Sequence, residues 1–137
     1  MPLTVQTLVK TLQALTDETY FGLATAEPRA GAFNEPPSSY GYTRKSISEA
    51  GGVNITNTSS SATCTNKEKF YFTEAENGDW GTIVYLFISD SPNRGAGSLL
   101  YYGVLTNPTS ITENCMPKFA AGAISITLTS SDLTGGT

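Results

Sequence analysis

"GDWGTIVYLFISDS", residues 78–91, sets the only tryptophan of the chain between two glycines, directly ahead of its longest apolar run. The β-branched and aromatic residues of Thr82–Ser89 suit a pleated strand better than a helix, where their side chains lose rotamer freedom. With a period of two, the run places Val84, Leu86 and Ile88 on one face and Ile83, Tyr85 and Phe87 on the other. Both sets are too apolar to be left wet, so each face requires a cover. The first set is expected in the core together with Phe21, Leu23, Phe72, Leu100, Val104, Ile124 and Ile126. The second, if nothing in the same chain covers it, is an apolar patch of the kind that marks an interaction surface. The flanking glycines permit turns that other residues resist, so Trp80 reads as a structural plug at the open end of a sheet stack rather than as a ligand platform.

Working outward, six further segments have the same character: 20–25, 40–47, 53–58, 69–73, 99–105 and 123–128. "EPRAGAFNEPPSS" (27–39) is a long loop, because its three prolines cannot hold a ladder. "ENGDWG" and "SPNRGAG" read as hairpin-like connections, and "TNTSSSATCTN" (56–66) as an exposed strand and loop. Only residues 3–16 show helical spacing, with Val5, Leu8, Val9, Leu12 and Leu15 on one stripe. The expected fold is therefore all-β: an antiparallel β-sandwich, Ig-like or jelly-roll-like, with one N-terminal amphipathic helix. A single domain is expected over 1–137, with the helix in 1–18, the sandwich in 19–129 and a tail in 130–137. The stripe Val5, Leu8, Leu12, Leu15 and the strand face Ile83, Tyr85, Phe87 together form the candidate interface.

Composition narrows the chemistry. Only 15% of residues are charged and the formal net charge is −4, with a pI near 4.6, so no basic footprint exists for nucleic acid or for an anionic membrane surface. "MPLTVQTLVK" lacks a basic region followed by an apolar stretch, so no signal peptide is expected, and no run approaches the length of a spanning helix. Without a secretory signal, the sequons at Asn54 and Asn57 belong to a polar strand or loop. Cys64 and Cys115 are too far apart in sequence for a metal motif and read as reduced, structural thiols.

Histidine is absent, which removes the Ser-His-Asp and Cys-His arrangements and the usual zinc ligands. Glu74, Glu76 and Asp79 crowd one turn. They lack calcium-loop spacing and read as solvation of that turn, with a glycosidase pair formed by Glu74 and Asp79 as the remote alternative. "RGAG" (94–97) leads into a strand, not into a helix N-terminus where an anion would bind. Tyr40, Tyr42, Tyr101 and Tyr102 could stack on sugars, but tyrosines on a β face more often serve a core or interface. No enzyme activity, cofactor or metal is expected.

Four blocks in order carry a resemblance: "SYGYTRKSI" (39–47), "FTEAENGDWGTIVYLFISD" (72–90), "SLLYYGVLTNPTSI" (98–111) and "KFAAGAISITL" (118–128). With the helix and "YFGLATAEP" (20–28), they resemble a family of small tailed-bacteriophage virion proteins labelled tail fibre or structural proteins. Tyr85 and Phe87 stand near positions where that family carries histidine and glycine. The resemblance implies a virion protein assembled in the host cytoplasm. It would be a non-enzymatic, self-associating subunit on the particle exterior, tail- or fibre-associated or a capsid decoration (cement) protein. Its implied partners are other virion proteins and copies of itself, in a trimer or ring. The alternative function is a carbohydrate-binding receptor-recognition module with Tyr40, Tyr42 or Trp80 as stacking platforms.

Overall fold

The computed structural model describes residues 4–129, so the helix start at residue 3 and the tail at 130–137 lie outside the described residues. Helix α1 (Val5–Leu15) starts at Thr4, whose hydroxyl accepts the Thr7 N–H at 3.4 Å and supplies one of the free donors of the first turn. Its stripe buries Leu8 and Leu12 completely, with Val9 and Leu15 half-buried beside them, against β3 (Val53–Asn57) and β4 (Ser61–Asn66). The helix thus covers a sheet of its own chain.

The strands form three antiparallel sheets. β2 (Lys45–Ser46), β1 (Tyr20–Ala24), β6 (Gly81–Ser89) and β7 (Leu99–Ile111) make the first, in that spatial order. β3, β4 and β9 (Ser125–Thr129) make the second, and β5 (Phe70–Tyr71) pairs with β8 (Lys118–Phe119) as a short ribbon. The main core lies between the inner face of the first sheet, carrying Phe21, Leu23, Leu86 and Ile88, and the Ala62, Cys64 and Ile126 face of the second. The ribbon closes it with an aromatic stack in which Phe70 lies 5.4 Å from Phe21 and 5.3 Å from Phe119, ring centre to ring centre. The fold is all-β apart from α1.

Trp80 is 3% exposed at the start of β6. Its indole N–H donates to the Tyr40 carbonyl at 2.7 Å, and its ring meets Tyr42 edge-on. Gly81 follows with φ of +89°, a conformation L side chains avoid, and this turn aims the indole inward as the strand begins.

Several sequence expectations need correction. Leu100 and Val104 were assigned to the core but are 44% and 68% exposed, because the inward positions of β7 belong to Tyr101, Gly103 and Leu105. The simple alternation of β6 also fails. Between Ile83 and Tyr85 the ladder shifts register, as β7 makes an excursion over Leu105–Pro108, where proline cannot donate to the ladder. Ile83 consequently joins Leu86 and Ile88 in the main core, and Val84 is only half-buried. The 40–47 strand shrinks to Lys45–Ser46 after a 3-10 turn at Ser38–Tyr40. "ENGDWG" is not a hairpin, since β5 and β6 belong to different sheets. Within 56–66, β4 is a sheet-centre strand that buries Ala62, Cys64 and Asn66.

This packing has a direct stability consequence. Leu86→Ala is expected to cost about 2 to 5 kcal/mol, whereas Val104→Ala should change stability by less than about 0.5 kcal/mol. Urea denaturation followed by circular dichroism reads both, and equal losses would contradict this placement of the core.

Candidate functional site

The outer face of the first sheet is where the sequence placed the interface, and loop residues 25–37 decide its state. Phe87 projects from β6 onto that face, and the tip of its ring reaches over Gly22 of β1. A Cβ at position 22 would sit 2.2 Å from the Phe87 ring, so only glycine fits there. Phe33, from the loop, packs 5.2 Å from Phe87, and with Ala24 they form a second, smaller apolar cluster. Phe87 ends fully buried.

Arg44 lies beside this pair, its guanidinium carbon 4.8 Å from the centre of the Phe33 ring and 5.2 Å from that of Phe87. It grips Glu35 with two parallel bonds, Nη2 to Oε1 at 2.8 Å and Nε to Oε2 at 3.0 Å. Its Nη1 donates to the Ser89 hydroxyl and to the carbonyls of Ser91 and Ala96, at 3.0, 2.8 and 2.8 Å. Glu35 also accepts the Tyr42 hydroxyl at 2.5 Å and the Gly95 N–H at 2.8 Å, and the Tyr42 oxygen in turn accepts the Leu23 N–H. Arg94 closes the same junction from above, donating to the carbonyls of Pro36 and Glu35. The side chains of the ion pair are 0% and 1% exposed. Among the described residues no buried side-chain nitrogen or oxygen lacks a partner.

This arrangement is a staple. It joins the 27–39 loop, the β6–β7 turn and β1 through charge-assisted bonds, and each of its buried side-chain nitrogens and oxygens has at least one partner. Sequence reading missed it, because nothing in periodicity distinguishes Glu35 or Arg44 from surface charges. The available signal was Arg44 inside "SYGYTRKSI", one of the blocks that carry the family resemblance.

The candidate interface residues divide accordingly. Leu8, Leu12, Ile83 and Phe87 are buried in this chain and cannot meet a neighbour without unfolding part of it. Val5 and Leu15 are half-buried. Loss of Leu8 and Leu12 would open the main core, and Phe87→Ser would open the second cluster. Tyr85 remains half-buried at the margin, its ring 6.0 Å from Tyr102 of β7. The exposed apolar surface thus sits one strand further out, on β7, with Leu100, Tyr102 and Val104.

The other candidate sites are dispersed. Tyr42 and Trp80 are buried, so neither offers a face to a sugar, and Tyr40 lies against Gly78. Glu74, Glu76 and Asp79 are exposed on their turn, where Asp79 caps the Glu113 N–H at 2.8 Å. Both cysteines are free, Cys64 buried with its thiol pKa raised by that burial, and Cys115 exposed. No metal-ligating cluster occurs among the described residues.

A small antiparallel β-module, stapled internally by a buried ion pair and carrying an apolar strand that pairs on one side only among the described residues, is a structural building block. The chain belongs to the family described as Podophage GP4 fiber I protein gp80, whose family model matches residues 6–127. It is a phage fibre protein, a structural component of the virion that associates with other virion proteins. Comparison with curated proteins and with solved structures gives no match.

Burial, then the charge of Glu35 and the hydrogen bond to it, push the Tyr42 hydroxyl well above the ordinary tyrosine range. Below about pH 10 the tyrosine is protonated in both folded and unfolded chains, and its full contribution is present. Above that the unfolded chain loses the proton first, so stability falls as pH rises towards the folded pKa. Urea midpoints are therefore expected to drop above about pH 10, and to drop less steeply in Tyr42→Phe. Identical slopes would contradict the assignment.

Proposed function

We propose that this chain is a non-enzymatic accessory subunit on the virion exterior, fibre-associated, which self-associates and attaches to its neighbours through the outer face of the first sheet at β7. The observation that carries this reading is the exposure of Leu100, Tyr102 and Val104 on one strand: of the five exposed large hydrophobic side chains among the described residues, three lie there. A soluble subunit gains nothing from a contiguous apolar strand left in water, whereas an assembly contact is centred on such anchors. The non-enzymatic reading is supported by the staple, in which a cluster of polar and charged groups is sealed from solvent and occupied in holding loops.

The test is incorporation into particles. Phages carrying Tyr102→Ser with Val104→Ser should hold about tenfold less of this chain per particle, the effect of losing about 1.4 kcal/mol of contact energy. Quantitative mass spectrometry of purified virions measures it against wild type. Full incorporation of a folded variant would contradict this use of β7.

A further inference from the structure

Two grooves run beside helix α1 where it lies along the second sheet. One, of about 400 Å³, is lined by Val5, Val9, Lys10 and Asn57. The other, of about 590 Å³, is lined by Ala14, Asp17, Val53 and Ile55. Gln13 borders both, so together they form one furrow that follows α1 along its length and β3 from Asn57 back to Val53.

The sheet side of this furrow is an unprotected edge. β3 is the outer strand of the order β3-β4-β9 and pairs only with β4 among the described residues. Its ladder runs without a register shift from the Val53–Asn66 pair to the Asn57–Ala62 pair. Proteins blunt an edge with charge, proline or a bulge, and β3 (Val53–Asn57) has none of these.

The ends of the ladder show where the unpaired groups point. The Gly52 carbonyl accepts the Lys67 N–H at 3.0 Å, and the Thr58 N–H donates to the Ser61 carbonyl at 2.9 Å. Successive residues of an antiparallel strand bond alternately to one side and the other. Gly52, Asn54, Thr56 and Thr58 therefore serve β4, and Val53, Ile55 and Asn57 turn their N–H and C=O groups to the open edge. The same three residues stand opposite Asn66, Cys64 and Ala62, the buried face of β4, so their side chains share the face that α1 covers.

We propose that this furrow receives an extended segment of another virion protein, which adds to β3 as an antiparallel fourth strand of the second sheet and lays alternate side chains against α1. Charge selects the segment. Of the residues lining the furrow only Lys10, towards the Asn57 end, and Asp17, at the Val53 end, are charged. An incoming residue opposite Asn57 meets Lys10, and one opposite Val53 meets Asp17. Between them, a residue opposite Ile55 lies over Gln13 and the half-buried Val9 and Ile55. Read from its N-terminus, the segment is acidic-x-apolar-x-basic. The β3 strand of a second copy, Val-Asn-Ile-Thr-Asn, offers neither charge and is a poor occupant. The furrow belongs to the second sheet, so the β7 contact neither requires nor excludes it.

The probe is the peptide Ser-Thr-Glu-Thr-Val-Thr-Lys-Thr-Ser, titrated to about 1 mM because so short a contact binds weakly, with amide hydrogen exchange of the full chain followed by NMR. In the free chain the N–H groups of Asn54 and Thr56 should exchange slowly and those of Val53, Ile55 and Asn57 rapidly. The peptide should slow the second set. Lys10→Glu turns an attraction into a repulsion and should weaken binding about tenfold, with recovery on a peptide carrying lysine in place of its glutamate. Asn57→Pro removes one outward N–H without touching the β4 ladder, and should lose the peptide while its circular dichroism spectrum is unchanged. No binding, binding without protection at Val53, Ile55 and Asn57, unchanged affinity in Lys10→Glu, or slow exchange of those three amides in the free chain would overturn the inference. Phages carrying Asn57→Pro should hold less of this chain per particle, and normal incorporation would refute a virion partner at this furrow. The fate of Tyr102→Ser with Val104→Ser decides the β7 contact separately.

Discussion

A buried guanidinium needs hydrogen-bond acceptors around it, and the rest of this chain is arranged so that each of the three nitrogens of Arg44 has at least one. Stripping an isolated charge of water costs several kcal/mol, and the paired carboxylate of Glu35 repays that only when geometry and further hydrogen bonds are good. Here the fork-to-fork contact with Glu35, the Ser89 hydroxyl and two carbonyls of the β6–β7 turn meet the demand. Segments nine to 52 residues apart in sequence are thereby committed to one another. The loop that brings Glu35 also brings Phe33, and Phe33 seals Phe87. The covering of the outer sheet face follows from satisfying one cation.

The extent of that cover decides which surface the molecule has left for others. Loop residues 27–39 reach over β1 and β6 but stop short of β7, whose Tyr102 is tied to the loop margin by a single hydrogen bond to Glu27 at 2.8 Å. Beyond that line Val104 stands in water. A fibre subunit divided in this way has a rigid, internally bonded half and an apolar strand that pairs on one side only among the described residues. Rigidity of the first limits the entropy lost when the second is covered.

How much of this was legible in the sequence follows from the range of the forces involved. Phe21 and Leu23, and Leu86 and Ile88, announce their burial through local period, and the structure buries all four, whereas the stripe of Leu8 and Leu12 was legible as apolar but not as covered by its own chain. Phe87 and Ile83 have the same local signature as an exposed patch, and what covers them comes from residue 33 in one case and from a register shift opposite Pro108 in the other. Neither cause lies within the window that periodicity inspects. The burial of β4 escaped recognition, and the segment read as an exposed strand and loop, because alternating Ala62, Cys64 and Asn66 among serines and threonines gives almost no hydrophobic contrast. The staple was the least legible feature, since a glutamate between loop residues and an arginine before a two-residue strand both look like surface charges until the chain folds. Only the family resemblance, in the block containing Arg44, singled out its neighbourhood.

The most direct measurement is a double-mutant cycle on the staple, using urea denaturation of Arg44→Ala, Glu35→Ala and the double variant. Each single change should cost about 3 to 5 kcal/mol by leaving its partner charged and buried, and the double should be more stable than the sum of the two predicts. Single losses below about 0.5 kcal/mol, the range of ordinary surface substitutions, with strictly additive behaviour in the double, would contradict the view that this pair holds the fold's outer face in place.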